Sequence, residues 1–261
     1  MKLRTLLPLA VLFAGCPTAG SGDDDDDGGS DLSYGETLAA AQWADGLEVS
    51  LNGDTLSFSG NGVPDHDVLE AYGLMDGSTV GVVGYDLDME IDVTPVLADT
   101  PTDTGLGSIG MAISGAVYFN PYEGDGTSVA VDNNFDVDGV PFLDACNGHP
   151  LPSGDTFHYH GVPYCITDEV DTVGEHSVII GVLLDGFAIY GPQSEDGAPP
   201  EGLDACSGHE GSTPEFPDGV YHYHLTESAP YSIDCYAGEV DVQQGGDGPP
   251  GGGGGSPPGG P

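Results

Sequence analysis

Two stretches of this chain share one rhythm of apolar and small residues. Ile109 to Ile113 is apolar apart from Gly110, turns at Ser114-Gly115, and resumes as Ala116-Val117-Tyr118-Phe119 before Asn120-Pro121. Ile180 to Leu184 is apolar apart from Gly181, turns at Asp185-Gly186, and resumes as Phe187-Ala188-Ile189-Tyr190 before Gly191-Pro192. Each stretch predicts a buried strand, a tight glycine turn and a second strand stopped by proline. The run Val178 to Leu184 is too apolar to lie in water. Upstream, Leu47 to Phe58 and Val80 to Val93 alternate with the period of half-buried strands. With 44 Gly and 21 Pro in 261 residues, long helices are disfavoured and a turn-rich β architecture is predicted.

The rhythm belongs to a longer repeat. Leu143-Asp144-Ala145-Cys146-Asn147-Gly148-His149 matches Leu203-Asp204-Ala205-Cys206-Ser207-Gly208-His209, Phe157-His158-Tyr159-His160 matches Tyr221-His222-Tyr223-His224, and Cys165 matches Cys235. The offset between copies drifts from 71 (109 to 180) to 60 (143 to 203), 64 (157 to 221) and 70 (165 to 235). Insertions therefore fall in loops while motif order is kept. We expect a mainly β fold: one β-rich domain over residues 45–242, built from two tandem, pseudo-symmetric repeats at about 105–170 and 176–240.

Four cysteines fall two per repeat. For a chain routed out of the cytosol, that arithmetic favours disulfides, and repeat symmetry pairs Cys146 with Cys165 and Cys206 with Cys235. Thiolate metal ligation is the competing reading.

Six of the eight histidines occupy matched places: His149, His158, His160, His209, His222 and His224. On a strand, residues i and i+2 share a face, so both imidazoles of a His-x-His pair can converge on one ion while the intervening tyrosine points away. A third ligand is expected from His149 or His209, carried toward the pair by the disulfide. Three histidines suit copper or zinc, with a position left for water or substrate. The bland reading is that the imidazoles hydrogen-bond to carbonyls and carboxylates and lock the repeats together. His66 and His176 have no counterpart in the other copy and stand as possible additional site residues or as turn residues. Asn134 to Gly139 imitates the start of a calcium loop, but its twelfth position is Ala145 where a bidentate Glu is required, so a solvated acidic loop is the better reading.

Charge narrows the partners. The chain carries 44 Asp+Glu against 2 Lys+Arg, a formal charge of -42. Both basic residues, Lys2 and Arg4, lie in the first five positions, so removal of that segment gives -42 - 2 = -44 and no basic side chain at all. Such a surface repels phosphate backbones and anionic headgroups, which argues against nucleic acid and polybasic membrane docking and leaves metal ions as natural counter-charges. Residues 1–15 have the layout of a secretory signal: a basic start, the apolar stretch Leu6 to Phe13, and Ala14-Gly15 before Cys16. The segment resembles a bacterial lipoprotein signal, which implies lipidation at Cys16; Pro17, where inner-membrane retention would place Asp, implies the outer membrane or cell surface. Residues 16–44, with the run Asp23 to Asp27, read as a disordered acidic tether, and 243–261 as a disordered Gly/Pro tail.

At its motifs the chain resembles the YHYH domain family, named for the tetrapeptide at Tyr221 to His224. Further matches are Asn61-Gly62-Val63-Pro64-Asp65-His66, Cys146-Asn147-Gly148-His149-Pro150, the run His176 to Pro192, Pro230-Tyr231, and Cys235-Tyr236-Ala237-Gly238. The pattern departs at Phe157, where the family has Tyr, and at Ala188, where it more often has Pro. The resemblance covers about residues 57–240 and implies a secreted or surface location; it leaves the biochemistry open. Three functions fit the residues: a surface protein binding Cu or Zn through its His-x-His clusters, a metalloenzyme with an open three-His site and His176 or Glu175 as proton shuttle, or a structural or adhesive module.

Overall fold

The structure is a computed structural model and describes residues 32–240. The expected signal at 1–15, the expected lipidation at Cys16 and the expected tail at 243–261 lie outside the described residues. Along the chain the elements are α1 (Tyr34–Ala39), β1 (Glu48–Asn52), β2 (Thr55–Gly60), β3 (Tyr72–Gly73), β4 (Thr79–Val80), β5 (Leu87–Asp92), β6 (Leu97–Asp103), β7 (Ser108–Ala112) and β8 (Val117–Phe119). There follow β9 (Asp136–Val137), β10 (Val140–Pro141), β11 (Gly148–His149), β12 (His158–Tyr159), α2 (Tyr164–Val170), β13 (Ile179–Leu183), β14 (Ala188–Tyr190), β15 (Gly208–Gly211), β16 (Val220–His224) and β17 (Cys235–Gly238). The architecture is mainly β, and no described helix is long and apolar enough to cross a membrane.

An eight-stranded sheet runs β11-β12-β8-β7-β13-β14-β16-β15. The two hairpins read from the apolar rhythm are β7-β8 and β13-β14, and they meet where β7 pairs antiparallel with β13. Outward from that seam the pairings match on both sides. β8 pairs parallel with β12 and β14 parallel with β16, while β11 and β15 close the edges antiparallel. Gly115 and Gly186 take the positive φ of the hairpin turns, 91° and 84°. Gly110 and Gly181 let the seam close: a Cβ on Gly110 would run into the carbonyl of Val182, and one on Gly181 into that of Met111.

The core lies on both faces of this sheet and is continuous with the N-terminal three-stranded sheet β1-β2-β5. The alternating stretch Leu47 to Phe58 is thus a hairpin, with Leu56 and Phe58 turned inward. Residues 33–44 correct the expected extent of the tether. Ser33 and Glu36 form a capping box at the start of α1, and Leu38 is buried. The Tyr34 hydroxyl donates to the Gly186 carbonyl and accepts from the Ala188 N–H, while Trp43 packs edge-on against Phe58. Apolar anchors at Leu38 and Trp43 supply burial that the polar composition around them conceals. The calcium-like stretch is the hairpin β9-β10, turned at Asp138 and Gly139 with positive φ and tied by Gly139 N–H to the Asp136 carboxylate.

Cys146 is bonded to Cys165 and Cys206 to Cys235, with Cα separations of 5.4 and 5.0 Å. The pairing expected from the repeats is the one present, and it leaves no thiolate among these four for a metal.

Candidate metal centres

Each centre starts from the Leu-Asp-Ala-Cys motif. Asp144 Oδ1 accepts the N–H groups of Cys146 at 2.8 Å and Gly148 at 3.1 Å; Asp204 Oδ1 accepts those of Cys206 and Gly208 at the same distances. These carboxylate-centred turns need positive φ at Asn147 (56°) and Ser207 (67°), residues short enough to take it. The carbonyl of Asn147 then accepts the N–H of His160, and that of Ser207 accepts the N–H of His224, each at 2.9 Å. The motif thereby fixes the strand carrying its histidine against the His-x-His strand. In register, His149 lies opposite His158, and His209 opposite His222.

Strand alternation sends the histidines to one face and the tyrosines to the other. Both histidine groups share that face, since cross-strand neighbours run from His158 through Val117, Met111, Val182 and Ala188 toward β16. Five inter-strand steps separate β12 from β16 in the sheet order, about 24 Å at the usual spacing. The groups cannot share one ion. On the opposite face, Tyr159 hydroxyl meets Ser114 Oγ at 2.9 Å, and Tyr223 hydroxyl donates to Asp185 Oδ2 at 2.5 Å.

In the first group, the ligating atoms of His149, His158 and His160 all lie within 4.8 Å of one another, and all three residues are buried. In the second, the same holds for His176, His222 and His224. His209, half-buried, reaches this group through its Nε2, 3.2 Å from His222 Nε2. Five of the matched histidines, His149, His158, His160, His222 and His224, lie in mutual ligand reach within their groups, while in the second group the third place expected of His209 is taken by His176, with His209 touching His222 alone. The sequence offered His176 only as an additional site residue or a turn residue, because its approach depends on the loop before β13. His66 belongs to neither centre. Its Nε2 meets Tyr159 hydroxyl at 2.6 Å, and its nearest sulfurs, Cys146 and Cys165, are bonded to each other.

Hydrogen bonds fix the tautomers. Nδ1 of His158 faces the carbonyl of Thr156 at 2.8 Å, and Nδ1 of His160 that of Asn120 at 2.7 Å. In the second centre Nδ1 of His222 faces Val220 at 2.9 Å, that of His224 faces Gly191 at 2.7 Å, and that of His176 faces Ser177 at 2.6 Å. A carbonyl oxygen only accepts, so each Nδ1 carries the proton and each Nε2 a lone pair. Yet Nε2 of His158 and His160 stand 3.1 Å apart, as do those of His222 and His224. Two lone pairs at that distance repel. Two nitrogens bound to one ion at about 2.0–2.1 Å stand about 2.9 Å apart at a right angle and about 3.4 Å at the tetrahedral angle. The observed spacing lies inside that range. His149 adds two buried ring nitrogens without a hydrogen-bond partner, and His176 adds its Nε2.

Protonation does not resolve the conflict. Burial pulls His160 and His222 down to about 4 and His224 to about 3, and holds His149 and His158 well below 6.5. Neutral imidazoles are the ligating form.

A domain with two histidine clusters on one sheet face, each closed by a disulfide, is thus the class that fold and site define. The family model described as YHYH protein matches residues 88–201 and 195–238, and the chain belongs to that family. No curated protein and no solved structure gives a significant match to it.

Proposed function

We propose that this YHYH protein binds transition-metal ions, one at His149, His158 and His160 and one at His222 and His224 with His176 or His209. The facing Nε2 lone pairs carry this reading, because each Nδ1 proton is already given to a carbonyl. A purely hydrogen-bonded core needs a proton between the two Nε2 atoms. That proton requires either a buried imidazolium or an Nδ1 lone pair turned on a carbonyl oxygen, and both are costly. All-imidazole ligation with buried Nδ1–H partners suits Cu or Zn.

We place the protein outside the cell, lipid-anchored through Cys16 to the outer membrane or cell surface, with metal ions as its ligands and no nucleic-acid partner. The signal-like segment, the disulfides and the missing basic residues support this placement. Replacing Cys16 by serine should release the chain from the membrane fraction; unchanged fractionation would contradict the anchor.

The ligand set is tested by changing His222 and His224 together to alanine. Bound metal should fall from two ions per chain to one with both disulfides intact, and unchanged stoichiometry would contradict the assignment.

A further inference from the structure

The two centres differ in what surrounds them. Around the first, Phe119 stacks on His158 with ring centroids 3.8 Å apart, and Phe142 lies 4.2 Å from His149. All three imidazoles there are buried beneath aromatic rings. Around the second, Tyr190 stands where the repeat has Phe119, and it meets His222 and His176 edge-on at 4.9 and 5.2 Å. The offset of 71 that aligns the hairpins sets His176 opposite Gly105 (176 - 71 = 105), so the first half lacks this side chain.

The second group meets the surface through the half-buried His209 and, on another side, through His176. Together with Glu175, Glu195, Asp196 and Thr213 it lines a cleft of about 400 Å³. Its Nε2 is buried without a hydrogen-bond partner and lies within ligand reach of His222 and His224. The carboxylates of Glu175, Glu195 and Asp196 are exposed, and the described residues hold no Lys or Arg to neutralise them.

Resting on the metal-binding reading, we propose that the two centres divide their roles: the first is a sealed structural site, and the second exchanges its ion with solution through the cleft, with His176 as the ligand that receives the incoming cation. An ion at the first centre leaves only when aromatic side chains and loops open, which slows its exchange. At the second, exposed carboxylates concentrate divalent cations at the cleft, and His176 offers an unused lone pair between the cleft and the His222/His224 pair. With His209 as the third ligand of the resident ion, loss of His176 removes only the group that receives the incoming ion, and exchange slows.

The test uses the full chain loaded with zinc and moved into isotopically enriched zinc, with bound isotopes counted by mass spectrometry over time. Two ions should exchange in two phases at least tenfold apart in rate. His176→Ala should slow the fast phase about tenfold and leave the slow phase alone. Glu195→Gln with Asp196→Asn, both on the exposed surface, should slow the fast phase severalfold at low salt and have no effect at high salt. This second variant decides the matter if His176→Ala does not fold. Two ions exchanging at one rate would overturn the division of roles while leaving metal binding intact. A slow phase altered by either variant would overturn the assignment of sites. A folded chain that takes up no zinc would overturn the metal-binding reading itself.

Discussion

Replacing Asp185 by asparagine tests how the strand bearing the second His-x-His pair is held. Asp185 is buried behind that strand, where its carboxylate accepts from the Tyr223 hydroxyl at 2.5 Å, the Gly238 N–H at 3.0 Å and the Phe187 N–H at 3.3 Å. Burial outweighs these donors and pushes its acid constant from 3.8 up to about 6. With the folded value above the unfolded one, the contribution is fully present below pH 3.8 and is lost as pH rises through 6. For one such group, the loss between pH 4 and pH 7 is about 2.4 kcal/mol, and between pH 5 and pH 7 about 1.3 kcal/mol. Asparagine does not ionise. Its oxygen replaces the acceptor for Tyr223 and Gly238, and any lost bond to Phe187 costs the same at every pH. Urea unfolding of both proteins at pH 4, 5, 6 and 7 isolates the ionisation. Relative to wild type, the variant should gain about 2 kcal/mol from pH 4 to pH 7. A difference constant with pH would refute the argument, and one that falls would mean that the hydrogen bonds outweigh burial.

Two further outcomes follow from the same geometry. Changing both Cys206 and Cys235 to serine opens a loop with a sequence separation of 29, and loop entropy sets the loss at about 3–4 kcal/mol; guanidinium unfolding reads it, and a loss under 1 kcal/mol would show that the hydrogen bonds of Asp204 hold the strand unaided. Burial keeps His160, His222 and His224 neutral at about pH 5, so zinc retained against a fixed chelator concentration should reach half-loss below pH 5.5. Half-loss near 6.5, the value of an exposed imidazole, would contradict buried ligation.

The hairpins, the disulfide pairs and the cross-strand histidines were legible because a repeat prints the same local solution twice. A hydrophobic run cut by Gly and Pro can only be a short buried strand, and two histidines at i and i+2 on it must share a face. The role of Asp144 and Asp204 went unread in the repeated motif, although an Asp followed by a Gly-His strand is a signature of an Asx turn. His176 was legible as an additional site residue or proton shuttle, not as a member of the second group. It has no counterpart at Gly105, and only the folding of the loop before β13 brings it to His222. The ordered segment at 33–44 was hidden by its polar company, although Ser33 with Glu36 carries a capping-box signature. Asp185 gave no signal of its pairing with Tyr223, which lies 38 residues away.

The central claim is that imidazole lone pairs converge on ions. Its most direct measurement is elemental analysis by mass spectrometry of the full chain, made through an oxidising compartment without a histidine tag and dialysed against metal-free buffer. The account predicts two transition-metal ions per chain after loading with zinc or copper. A folded, disulfide-bonded protein that stays metal-free under those conditions would contradict it and make the seven histidines of the two groups architectural alone.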